Sequence, residues 1–225
     1  MIVLAFVGAL ALIALVAWLS YRAEQRHRAA LTAFATARGW SLADSDPSLV
    51  HRFSGEPFGR GFGRRTRHVL RGTHAGRPFV VFDYVHKTRD GSGENARTVT
   101  HRHCLTVIEL GVRTPGLVVD PENVLERFAG RLLNTDIELE SEEFNRAFRV
   151  NSRDRRFASA VLHPRMMEHL LHLRDLGWRI EDDAMILVER GSYEVDGVET
   201  RLAMLASVLD LVPDFVWDDL RGGRG

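Results

Sequence analysis

The first 21 residues, MIVLAFVGALALIALVAWLSY, hold no charged side chain and present apolar groups to every side of a helix. About twenty helical residues reach roughly 30 Å, the thickness of a bilayer's hydrocarbon core. Trp18 and Tyr21 gather at one end, where amphipathic rings favour the headgroup level. A buried core helix of this length would show a polar stripe. A signal peptide would carry a basic start and a small-residue cleavage site, and Trp18-Leu19-Ser20-Tyr21 is a poor one. The pattern therefore predicts a single-pass transmembrane anchor over residues 1–21. Arg22, Arg26 and Arg28 follow it and no Lys or Arg precedes it, which places the rest of the chain on the cytoplasmic side of a cell membrane.

Beyond the apolar run the period changes. Residues 22–38 are rich in Ala, Arg and Glu and continue the helix as a stalk, with Gly39 as its stop. A stalk of about 17 residues reaches roughly 25 Å. Held upright, it would keep the following domain clear of the headgroups unless Gly39 and the 44–47 turn reverse the chain. Residues 53–63 read as a Gly- and aromatic-rich loop. Strands are expected over 67–73 and 77–86, joined at His74-Ala75-Gly76. A loop over 88–95 leads to a returning strand over 98–110, and 117–119 is a short strand of its own. Asp120 is placed as the N-cap of a helix from Pro121 to Leu133. Ile137 and Leu139 suggest a short strand, and 148–150 another. Asp154 caps a helix over 155–162, and His163-Pro164 opens the next, with Met166, Met167, Leu170, Leu171 and Leu173 at helical spacing. Two strands, 178–180 and 185–189, flank an acidic turn at 181–183. A last helix spans 197–211, ending near Pro213, and 221–225 is a frayed tail. Hairpins dominate, so the fold class is α+β: one N-terminal transmembrane helix, then a mainly antiparallel sheet with helices packed on one face or end. The domains are anchor 1–21, stalk 22–39, soluble domain 40–220 and tail 221–225.

Composition adds bounds. Of 225 residues 45% are hydrophobic and 27% charged, which is globular, and 30 basic residues balance 30 acidic ones, which argues against nucleic acid as a partner. The balance hides a basic stretch over 60–71 and an acidic one over 136–143. Cys104 is the only cysteine, excluding an intrachain disulfide or a multi-cysteine metal site.

Several stretches resemble a family of uncharacterised bacterial membrane-anchored proteins that carry a domain of unknown function. The carrying residues are Ile137-Glu138-Leu139-Glu140-Ser141-Glu142-Glu143-Phe144-Asn145, then Phe148-Arg149-Val150, Asp154, and Leu162-His163-Pro164-Arg165-Met166-Met167-Glu168. Upstream, the run from Phe58 to Gly63, and Gly76-Arg77-Pro78-Phe79 with Phe82-Asp83-Tyr84, are similar too. The resemblance spans residues 57–178. It implies a bacterial origin and a membrane anchor, and it carries no catalytic residues.

Among candidate sites, Gly59-Arg60-Gly61-Phe62-Gly63-Arg64-Arg65 is the most suggestive. Glycines admit a phosphate close to the backbone, and guanidinium groups clamp it. Its spacing is neither a dinucleotide fingerprint nor a Walker loop. With Arg67 and Arg71, the residues Arg60, Arg64 and Arg65 form a candidate anion- or lipid-binding set. His101 and His103 share a strand face, and His86 joins them only if the hairpin register puts it on that face. These three are the weak metal candidates, and no metal or cofactor is expected. Cys104 alternates to the other face and reads as a structural thiol, and Glu168, His169 and His172 read as a solvated helix face. Two functions follow. The first is a non-enzymatic binding or scaffold module at the cytoplasmic membrane face, its partners the lipid bilayer through residues 1–21 and a protein the sequence does not identify. The second is an enzyme acting on a phosphate-bearing or lipid substrate near residues 60–71.

Overall fold

The structure, a computed structural model, describes residues 2–91, 96–122, 137–173 and 175–223, the side chains of 2–6 and 9 excepted. Its first element, α1 (Ile2–Ala37), is one unbroken helix that joins the apolar run to the predicted stalk. It ends as the composition predicts. Gly39 takes φ +67, and the Gly39 and Trp40 amides donate to the Thr36 and Ala35 carbonyls. That pairing satisfies the last turn, with the Phe34 and Trp40 rings in contact at 5.5 Å. Among the described residues no helix is long and apolar enough to cross a membrane. The apolar run of the sequence begins at residues whose side chains lie outside that description.

The sheet is built from β1 (Ser41–Ala43), β2 (Phe62–His74), β3 (Arg77–Asp90), β4 (Arg97–Pro121), β5 (Phe148–Ser152) and β6 (Trp178–Arg190), all antiparallel. The β2–β3 turn is tighter than the sequence suggests. Ala75 and Gly76 both take positive φ, the geometry of a two-residue hairpin turn. The helix α1 is followed by α2 (Glu142–Ala147), α3 (Arg155–Val161), α4 (Pro164–His172), α5 (Val195–Leu211) and α6 (Asp214–Gly222). Asp154 caps α3 through the Phe157 amide, as expected.

The elements read from the sequence differ from the structure at several places. The predicted strands 98–110 and 117–119 are one strand, β4, which pairs along one edge first with β3 and then with β5, and along the other with β6. The predicted strands 178–180 and 185–189 are likewise one strand, β6, with Asp182 at φ +55 where the β4–β6 register shifts. Asp120 is not a helix cap: it lies in β4 opposite Arg149, and Pro121 opposite Phe148. The helix expected after it, to residue 133, falls almost wholly outside the described residues. Ile137 and Leu139 form no strand, although the Ile137 amide donates to the Val150 carbonyl. A helix not foreseen from the sequence, α6, follows Pro213 at its N-cap and takes in Arg221 and Gly222 of the predicted tail.

Each face of the sheet has its own cover. Helices pack on Leu70, Phe79, Val81, Ile108, Met185 and Leu187, and α1 contributes Leu31 and Ala35, which are 0% and 2% exposed. The opposite face, with Val69, Val80, Phe82, Tyr84, Leu105 and Ile186, is covered by a single 3-10 turn (Pro47–Val50) and by Phe53 and Phe58. So the predicted stalk is a packed core element, not a spacer. Its contacts with the domain run from Arg38 on Glu199, through Arg28 on Asp44, to Glu24 on Arg67 and His68. They advance along β2 from Gly72, where Trp40 packs, towards Phe62. The helix therefore leaves the sheet at the end where β2 begins and β3 turns into β4.

Candidate functional site

Two polar constellations stand out, one on each face. On the loop-covered face, strand pairing sets His86 directly opposite His101, and Tyr84 opposite His103. Opposed residues share a face, so the register meets the condition the sequence left open. The rings stack: His86 lies 4.9 Å from His101 with planes 16° apart, and 5.5 Å from His103 with planes 7° apart. Imidazole lone pairs lie in the ring plane, so parallel rings aim them side by side rather than at one point. Consistent with that geometry, no group of three or more His, Cys, Asp or Glu side chains among the described residues is arranged to hold a metal. His101 Nε2 meets the Thr88 hydroxyl at 2.8 Å.

The charges around this ladder are basic. Burial, then His101, Arg60 and Arg64, lower the pKa of His86. Burial, then His86, His101 and Arg190, lower that of His103 to about 4. Both rings are therefore neutral near pH 7 and can each donate one N–H. Tyr84, fully buried, has its hydroxyl beside the Arg64 guanidinium, and burial raises its pKa against the pull of that arginine. The glycine-rich loop packs onto the same strand. Gly61 takes φ +61, and a Cβ there would lie 2.0 Å from the Lys87 carbonyl oxygen. Beside Arg60 and Arg64 the loop encloses a recess of about 400 Å³, lined also by Phe53, Phe58 and Glu56.

The five arginines proposed from sequence do not form one patch. Arg60 pairs with Glu56, and Arg71 with Asp46 at 2.6 Å. Arg67 pairs with Glu24 on the helix-bearing face, and Arg65, opposite Val85, lies on that side too. Arg64 faces the histidines. Of the set, Arg60 and Arg64 join the ladder, and Arg190, the register partner of His103, joins them from β6. Arg190 and Tyr84 carry no signal in the sequence, because only the strand pairing brings them in.

The second constellation lies under α1. His68 Nδ1 is 3.1 Å from Asp83 Oδ2, and His68 Nε2 is 3.0 Å from Glu24 Oε1. The Tyr193 hydroxyl donates to the His68 carbonyl at 2.5 Å, and the Tyr193 amide donates to Asp83 Oδ1 at 3.1 Å. His27 approaches His68 edge-on at 5.2 Å. The Asp–His pair resembles the base of a hydrolase triad, but the outer ring nitrogen meets a carboxylate and not a nucleophile. Its effect is mechanical: it joins α1 to the sheet. No sequence signal marks it, since His68 reaches this place through a bulge at which it takes φ +48. Cys104 is buried on this face, and burial pushes its thiol up to about 12, which makes it inert as a nucleophile.

Residues 115–190 match the family model described as a protein of unknown function, DUF3137. The matched segment runs from the second half of β4 through β6. The histidine ladder, apart from Arg190, and the upstream Gly-rich run fall outside it. Among solved structures, the chain is similar to the crystal structure of the mycobacterial trehalose monomycolate transport factor A, TtfA. The TM-score is 0.53 and the identity 11%, over 82% of this chain and 94% of that one, a likeness of fold. A comparison with proteins of curated function returned no match.

Proposed function

We propose that this chain is a binding or scaffold module tethered to a membrane by the first half of α1, with its α+β domain at the cytoplasmic face. The observation that carries the reading is the contrast along one helix. Leu10, Leu12, Ile13, Leu15, Val16 and Leu19 are each half or more exposed, while Leu31 and Ala35 of the same helix are buried in the core. Apolar side chains exposed all round a helix have no place in water and fit lipid. Trp18, with the Arg22 guanidinium 5.0 Å from its ring centre, marks the interface, and the arginines beyond it set the orientation. The neighbour in fold is named as a transport factor, which is in keeping with a module that binds rather than an enzyme.

The test is fractionation of cells that express the full chain with a C-terminal tag. The expected result is a membrane pellet that resists alkaline carbonate, with the tag protected from protease in intact spheroplasts and cut after lysis. A soluble chain would overturn the tether, and a tag cut in intact spheroplasts would overturn the orientation.

A further inference from the structure

We propose that the histidine ladder of β3 and β4, with Arg60, Arg64 and Arg190, forms a binding site for a phosphate group. This goes beyond the tether and does not rest on it. Three observations converge. First, a buried side chain ends here in a polar atom without a partner, His86 Nδ1, in a residue 4% exposed, and beside it the Tyr84 hydroxyl, in a residue 0% exposed, has the Arg64 guanidinium for its neighbour. A buried polar atom normally has a partner, and an orphan at a half-open site points to one that arrives with a ligand. Second, basic charge outweighs acidic here, with Glu56 on Arg60 as the carboxylate at the site. Arg60 and Arg64 act on His86, and Arg190 acts on His103. The nearest carboxylates are engaged: Glu56 with Arg60, Glu189 with Arg201, and Asp83 with His68 on the opposite face. Third, the loop that carries Arg60 and leads to Arg64 at the start of β2 lies close against β3, with Gly61 so near the Lys87 carbonyl that only glycine fits.

The donor set suits a tetrahedral oxyanion. Guanidinium forks pair with two phosphate oxygens at once. Neutral imidazoles and a tyrosine hydroxyl each offer one further hydrogen bond. A cation would meet arginines and ring nitrogens that do not converge. The phosphate can come from a lipid headgroup or from a soluble molecule. The site lies near the end of the sheet from which α1 departs, within reach of either.

The experiment uses the full chain in dodecyl maltoside micelles, with inorganic phosphate as the probe, followed by calorimetry and by the histidine ring resonances. The expected result is saturable binding that perturbs His86, His101 and His103. Arg64→Gln and His103→Asn should each weaken it by about tenfold or more, the loss of one charge-assisted or buried contact. Arg71→Gln, which removes a guanidinium already paired with Asp46, should leave it unchanged. Circular dichroism confirms that each variant folds, and His101→Asn replaces either variant that does not. Nanodiscs separate the sources. If a headgroup is the ligand, phosphate binds in phosphatidylcholine discs and is displaced in discs containing phosphatidic acid. If a soluble molecule is the ligand, it binds equally in both. No saturable phosphate binding in any of these settings, or binding indifferent to the changes at Arg64 and the histidines, would overturn the proposal.

Discussion

Asp120 shows how far a side chain's meaning depends on its partners. Burial raises its pKa to about 6, against the pull of Arg179. The unfolded value is near 3.9, so between roughly pH 4 and 6 the folded chain holds the proton more tightly. Stability therefore falls as pH rises through that window and is level above it. Asp120→Asn removes the effect, so the variant should gain on the wild type between pH 4 and pH 7 by up to about 3 kcal/mol. Urea melts at the two pH values measure it, and a difference independent of pH would refute it. Gly72 makes a steric counterpart. A Cβ there would come within 2.3 Å of the Trp40 ring, which packs edge-on to Phe79 at 4.7 Å. Gly72→Ala should cost about 1–3 kcal/mol, the usual penalty for overpacking, measured by thermal melting. In the sequence His86, His101 and His103 were visible as a set, because two lie on one strand and the third on its hairpin partner. Arg190 was not, because β6 is distant in the chain and nothing local reports its register.

At the scale of elements, Arg179 on β6 acts as a clamp. It donates to the Glu56 carbonyl at 2.8 Å and the Ser54 carbonyl at 2.9 Å, and it holds the loop before β2 against the sheet. Arg179→Met leaves those carbonyls without donors and should speed amide exchange across residues 53–61 while sparing the helices. Protection unchanged in that loop would show the clamp to be dispensable. Elements set by local chemistry were legible: the Asp154 cap of α3, the amphipathic face of α4, the glycine stop after α1. The continuity of β4 was not, because Gly111, Pro115 and Gly116 interrupt the run of strand-forming residues between Leu110 and Leu117. The structure gives the reason they are tolerated. Along the shared edge, β3 pairing ends at Ile108 and β5 pairing begins at Leu117, so the missing Pro115 amide has no bond to make there. Asp182 on β6 misled in the same way: its positive φ is a shift in register, and the strand continues through it.

For the whole molecule, α1 is the feature on which tether and fold both depend. Deleting residues 1–21 should leave the domain folded, because Leu31, Ala35 and the Glu24–His68 contact remain. Deleting residues 1–39 should lower the melting temperature sharply or abolish folding, and Leu31→Ala alone should cost about 2–5 kcal/mol. Equal melting temperatures for the two truncations would show that α1 is not part of the core. The apolar run and the α+β class were plain in the sequence, since each rests on period alone. That the stalk would lie down on the sheet was not, because its polar side chains, Glu24, His27 and Arg28, find partners that only the fold supplies. The same helix has a consequence for the order of assembly. It leaves the ribosome before the sheet does, yet Glu199, which receives Arg38, follows 161 residues later, and Glu194, which receives His27, is almost as distant. β4 likewise waits for β6, some 70 residues downstream, to complete its second edge. Neither layer can close before β6 and α5 have been made, so the nascent chain must keep one side of α1 uncovered while the whole sheet is synthesised.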